Sequence, residues 1–100
     1  MERRKEKRFE IQKIVKVNNE PCIMVDISRS GMKVSTDKVP RLPSVVITLV
    51  VNNKIIKIEG VIRWKSEENP LSNLRDIGIS IQKASEEYYK FFNKISKNSA

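Results

Sequence analysis

Arg4 and Arg8 flank three residues in the run Arg4-Lys5-Glu6-Lys7-Arg8, and Asp26, Ser28 and Gly31 share the segment Asp26-Ile27-Ser28-Arg29-Ser30-Gly31. The first run reads RxxxR and the second DxSxxG. A guanidinium offers five donors in a planar fork. It can grip a phosphate or the O6/N7 edge of guanine, and it can stack on a base. A carboxylate accepts from the N1–H and N2 amine of guanine, a pair of donors that adenine lacks on that edge, and a nearby hydroxyl can assist. Together these residues describe a pocket for a guanine nucleotide. They do not describe a machine for hydrolysing one, because the chain has no histidine and Asp26 with Ser28 makes no catalytic pair without a positioned base.

Taken singly, each motif has a plainer explanation. RxxxR reads as a solvated charge run or a nonspecific nucleic-acid tail, with Arg3 as a third fork beside the pair. Asp and Ser side chains satisfy turn backbones, and Gly31 supplies a positive φ. Trp64 shares its parity with Ile58 and Ile62, which favours the core or a barrel end. At the mouth of a barrel its ring would instead flank a guanine. Arg63 and Arg75 read first as solvated charges, with phosphate contact as the alternative.

The elements that must position these groups are short and β-rich. Residues 1–8 carry charge and no apolar period, so they form a flexible basic arm. Strand patterns follow at Phe9 to Val17, with Ile14 breaking the alternation, then at Cys22 to Ile27 and at Met32 to Ser35. Asn18-Asn19-Glu20-Pro21 is a turn by its chemistry, and Ser28 to Gly31 is a tight connection. Pro40-Arg41-Leu42-Pro43 demands an extended loop. Val45 to Val51 and Ile55 to Lys65 are strands about an Asn52-Asn53 hairpin turn, with Gly60 marking a bend or bulge. Ile77 to Ile81 is the last strand.

A helix over 85–97 then has Ser85 as N-cap, Glu86 and Glu87 in its first turn, and Tyr88, Phe91, Phe92 and Ile95 at helical spacing. The spacing predicts one mainly β domain over 9–100: a small six-stranded antiparallel β-barrel with a C-terminal α-helix capping one end. Core packing is the expected role of the aromatic stripe, ahead of a partner-binding face.

Lys and Arg total 20 against 12 Asp and Glu, so the net charge of +8 favours an anionic partner such as a nucleotide, a nucleic acid or a lipid surface. The single cysteine, Cys22, excludes an intrachain disulfide and a thiolate zinc site, and its apolar run reads as burial. No apolar stretch approaches the roughly 20 residues of a membrane helix, and the charged N-terminus is no signal peptide, so no membrane insertion is expected and the cytoplasm is the simplest location.

RxxxR on an arm leading into the first strand, followed by DxSxxG at the second-to-third strand turn, resembles the PilZ domain family. Gly60-Val61-Ile62-Arg63-Trp64 and Ile77-Gly78-Ile79-Ser80-Ile81 look like that family's closing strands. The resemblance implies a bacterial receptor for cyclic di-GMP, acting in surface attachment, motility and biofilm control. It implies that Arg4 and Arg8 grip guanine and phosphate, that Asp26 and Ser28 bind a guanine edge, and that Gly31 shapes the turn. In the family a basic residue just before RxxxR accompanies binding of a stacked ligand dimer, so the resemblance gives Arg3 that possible role.

The leading expectation is therefore a monomeric cyclic di-GMP-binding adaptor. It is not an enzyme and needs no cofactor. Its arm orders on the dianionic ligand and signals to an unidentified effector protein. A small basic barrel binding nucleic acid is the alternative. It explains the charge, but it leaves Asp26 unexplained and has only Phe9 and Trp64 on the sheet for base stacking. A PilZ-like module that only docks on another protein is a third reading.

Overall fold

The computed structural model describes residues 6–98, so Arg3 and Arg4 of the expected arm lie outside the described residues. The elements run β1 (Phe9–Val17), β2 (Glu20–Ile27), β3 (Gly31–Thr36), β4 (Ser44–Val51), β5 (Lys54–Lys65), β6 (Arg75–Ala84) and α1 (Glu86–Asn98). All neighbouring strands are antiparallel, and the sheet closes in the order β1-β2-β3-β6-β5-β4. This is the expected six-stranded barrel with a terminal helix. The barrel closes through a short β1–β4 seam, Lys16 opposite Thr48 and Val17 opposite Ile47.

Local chemistry accounts for the two tight hairpins. Asn18 and Asn19 have φ values of 52° and 72°, and Asn52 and Asn53 have 51° and 66°. Positive φ at both central residues defines a type I′ turn, whose twist matches that of the flanking strands, and asparagine tolerates it. The first turn is shorter than its composition suggests, because Glu20 and Pro21 already belong to β2, opposite Val17 and Lys16. Proline is accommodated there because β3 pairs with β2 only from Ile23 onward.

Bulges explain the irregular alternation. The β1–β2 register shifts between Glu10 and Lys13, which turns Ile14 outward to pair with Ile23 on the outer face. A second shift between Met24 and Asp26 leaves Asp26 and Ile27 both buried, although they are adjacent in sequence. The expected irregularity at Gly60 is present as a shift between Glu59 and Gly60. A further shift between Ile62 and Trp64 breaks the parity on which a core position for Trp64 rested. Its side chain lies outside the core, 47% exposed.

The barrel interior is aliphatic, built from Val15, Met24, Ile27, Met32, Val34, Ile47, Leu49, Ile58 and Ile77 among others, with Cys22 buried as expected. The α1 helix starts one residue later than the sequence suggests, with the Ser85 carbonyl accepting from the Tyr88 N–H at 3.1 Å. Its stripe packs against the barrel: Tyr88 and Phe92 are buried, Phe91 and Ile95 half-buried, and Phe9 meets Phe92 edge-on at 5.8 Å. Core packing is thus the role of the stripe. The helix reaches from the β2–β3 turn, which Tyr88 touches, to the β4–β5 hairpin, where Phe91 and Lys90 lie beside Val51 and Ile56.

Candidate functional site

The DxSxxG segment straddles the end of β2 and the start of β3, and its three connecting residues are anchored on three sides. Ser28 N–H donates to the Gly31 carbonyl at 2.9 Å and closes the turn. Ile81 N–H of β6 donates to the Ser30 carbonyl at 2.8 Å. From the helix, the Tyr88 hydroxyl donates to the Ser28 carbonyl at 2.9 Å, and the Arg29 guanidinium lies 5.6 Å from the centroid of the Phe92 ring. A turn held at this many points presents its side chains in a fixed geometry.

Gly31 is essential here for a reason other than the one its turn position suggests. No glycine has positive φ. Gly31 instead opens β3 opposite Ser80, and a Cβ there would stand 2.9 Å from the Ile79 carbonyl oxygen. The glycine permits close approach of two backbones, not a left-handed conformation.

Asp26 is 8% exposed, an uncommon place for a carboxylate. Arg8 Nη1 stands 3.4 Å from its Oδ1 and Lys33 Nζ stands 3.6 Å from its Oδ2. Two cations offset the cost of burial, yet the buried Oδ1 accepts no hydrogen bond among the described residues. The result is a charged, desolvated acceptor held next to an arginine whose side chain is nearly half exposed. Ser28 is also buried, and its hydroxyl makes a long 3.4 Å bond to the Gly31 carbonyl.

Arg8, Ser28 and Gly31 line a cleft of about 580 Å³, together with Glu6, Ser30, Arg63, Trp64 and the β6 residues Gly78, Ile79 and Ser80. Its size is in the range of small-molecule sites. Asp26 does not line the cleft itself but touches Arg8, which does. Trp64 pairs across the sheet with Gly78, and a Cβ on Gly78 would collide with the indole. The absent side chain lets the ring lie against the strand and form a flat cleft wall.

Five of the seven residues singled out in the sequence are therefore in one place: Arg8, Asp26, Ser28, Gly31 and Trp64. Arg3 and Arg4 lie outside the described residues. Arg63, read first as a solvated charge, lines the cleft, whereas Arg75 pairs with Glu68 at 3.9 Å. Sequence reasoning overlooked Glu6, Ser30 and Gly78. Glu6 and Ser30 occupy positions that the motif patterns leave unspecified. The signal for Gly78 was its place opposite an aromatic residue in β5.

Glu6 reaches the turn from the arm side. The main-chain N–H of Ser30 donates to Glu6 Oε1 at 3.1 Å, and the Ser30 hydroxyl donates to the same oxygen at 2.8 Å. The Ser30 hydroxyl bond, chiefly, holds the Glu6 carboxyl below the usual carboxylate range, with smaller help from the Ser30 amide, the Ser28 hydroxyl and the charge of Arg29. Burial raises the Tyr88 phenol well above its ordinary range, and burial likewise raises the Cys22 thiol.

A closed antiparallel barrel with an arginine-bearing segment laid over a DxSxxG turn defines a class of small ligand-binding domain. The PilZ domain family model matches residues 2–94, and the chain belongs to that family. No curated protein matches it. Among solved structures it is similar to the Bacillus subtilis inhibitor of motility (MotI/DgrA), with a TM-score of 0.72 and 16% identity. That likeness covers 99% of this chain and 52% of the other, so the chain spans about half the length of that relative. At this identity the likeness concerns the fold.

Proposed function

We propose that this domain binds cyclic di-GMP in the cleft between the arm and the β2–β3 turn, and that it works as a receptor in second-messenger signalling, not as an enzyme. Arg8 and Arg4 supply the guanidinium forks, Asp26 and Ser28 supply the acceptor and hydroxyl for a guanine edge, and Trp64 supplies a flat apolar wall. The reading rests on one observation above the rest: a buried Asp26 oxygen that accepts no hydrogen bond among the described residues, beside an accessible Arg8. An acceptor of that kind is costly to keep, and a guanine N1–H or N2 amine would satisfy it once Arg8, which now covers it, swings from Asp26 to the ligand.

On this reading the ligand repositions the Arg8 segment, which Glu6 and Asp26 already hold on the turn, and the altered surface is what an effector protein recognises. Arg3, immediately before the first motif arginine, is the residue proposed to set whether one ligand or a stacked pair is held. Nucleic acid is the weaker reading, since Phe9 is packed against Phe92 and only Trp64 remains on the sheet as an accessible stacking platform.

Isothermal titration calorimetry with cyclic di-GMP, with GTP and cyclic di-AMP as controls, tests the proposal. Saturable, guanine-selective heat supports it, and the stoichiometry reports on the Arg3 question. No heat at high ligand concentration would sink it.

A further inference from the structure

Among the described residues, Glu6 is the one acid lining the cleft, and it sits where an anionic ligand would be expected to meet donors. Its Oε1 takes both the main-chain N–H and the hydroxyl of Ser30. Two convergent donors on one oxygen form a small anion site, of the kind backbone amides and hydroxyls at tight turns build for phosphate or carboxylate oxygens. We infer that Ser30 is a further ligand-contact residue of this cleft, and that the Glu6 carboxylate is a built-in competitor that occupies the Ser30 donors until an anionic ligand displaces it. This inference rests on the cyclic di-GMP reading given above.

Three features carry it. The Ser30 donors are held in place independently of Glu6, because the Ser30 carbonyl is fixed by Ile81 N–H at 2.8 Å and the adjoining Ser28 carbonyl by Tyr88 at 2.9 Å. The site therefore persists when Glu6 leaves. Both bonds to Glu6 are solvent-exposed, so the carboxylate can swing out and be hydrated at little cost. Glu6 also precedes Arg8 by two residues on the same segment, so displacing it frees the stretch that bears Arg8 to close on the ligand.

A competitor of this type lowers apparent affinity by the fraction of molecules in which the clasp is open. Glu6→Gln replaces the charge-assisted acceptor by a weaker neutral one and should tighten cyclic di-GMP binding, up to the roughly threefold to tenfold that full opening of a clasp closed in about two-thirds to nine-tenths of molecules would give. Adding Ser30→Ala to Glu6→Gln should then weaken binding, because the ligand loses the hydroxyl it inherits.

The experiment combines calorimetry on the wild-type chain, Glu6→Gln and the double variant with amide hydrogen exchange at Ser30 in the ligand-free wild type and Glu6→Ala. Faster Ser30 exchange in Glu6→Ala, tighter binding in Glu6→Gln and weaker binding in the double variant support the inference. Unchanged exchange shows that no clasp forms and overturns it. Binding by the wild type with no gain in Glu6→Gln overturns the competition while leaving the receptor reading intact. Unchanged affinity on adding Ser30→Ala removes Ser30 as a ligand contact. Absence of cyclic di-GMP binding in every variant overturns the receptor reading and the competition together.

Discussion

Tyr88 of the terminal helix donates its hydroxyl to the main-chain carbonyl of Ser28, 60 residues away in the chain, at 2.9 Å. This bond joins the helix to the turn that carries the DxSxxG residues. Both partners are buried, so neither has water as a substitute. The helix thereby becomes part of the support of the cleft, and a change at the turn is felt at the barrel end.

Tyr88→Phe keeps the ring and removes the donor, leaving the Ser28 carbonyl without this partner. The expected outcome is a loss of about 1–2 kcal/mol of stability, read as a lower urea midpoint at unchanged m-value. Ligand affinity should fall too, because the turn loses an anchor.

The Tyr88 phenol also sets a pH dependence. Burial raises its folded pKa, whereas the unfolded chain releases that proton near the ordinary tyrosine value of about 10. The unfolded state binds fewer protons there, so the contribution is fully present below about pH 10 and is lost as pH rises toward the folded pKa. Chemical denaturation between neutral pH and pH 11 should show stability falling above about 10, and the slope should be shallower in Tyr88→Phe.

Arg8→Ala should weaken cyclic di-GMP binding at least tenfold, since a charge-assisted contact contributes roughly 1.5–3 kcal/mol. The thermal midpoint should move little, because the Arg8 side chain is nearly half exposed and Lys33 still faces Asp26 at 3.6 Å. Calorimetry and a thermal melt on the same variant check both halves. A large drop in the midpoint would mean that Arg8 serves the fold and not the ligand.

Trp64 is the chain's single tryptophan, so its fluorescence reports on the cleft alone. Cyclic di-GMP should change its intensity or emission maximum saturably. Gly78→Ala places a methyl where the indole lies, and the ring must move away. The free variant should therefore show a shifted emission spectrum and bind ligand several-fold more weakly.

The strands, both hairpin regions and the helix were readable from residues because their causes are local. Alternating β-branched residues favour extended chain, paired asparagines favour type I′ turns, and acidic residues after Ser85 favour a helix start. The motif residues were equally visible, since guanidinium, carboxylate and hydroxyl carry their chemistry wherever they stand.

What the tertiary structure alone decided was orientation. Bulges have weak sequence signals, yet the one after Ile62 takes Trp64 out of the core and into the cleft wall, and the one before Asp26 coincides with the burial of that carboxylate. Gly31 illustrates the same division: its type was evident, but its reason is the carbonyl of Ile79, a residue 48 positions later in the chain, and not its own φ. Glu6 and Ser30 meet for a similar reason. Residues 24 apart in sequence become partners only when the β1–β2–β3 register brings the arm beside the turn. Residue chemistry determined what the site could bind. Strand register and backbone contact, which depend on the whole closed barrel, determined which side chains face it.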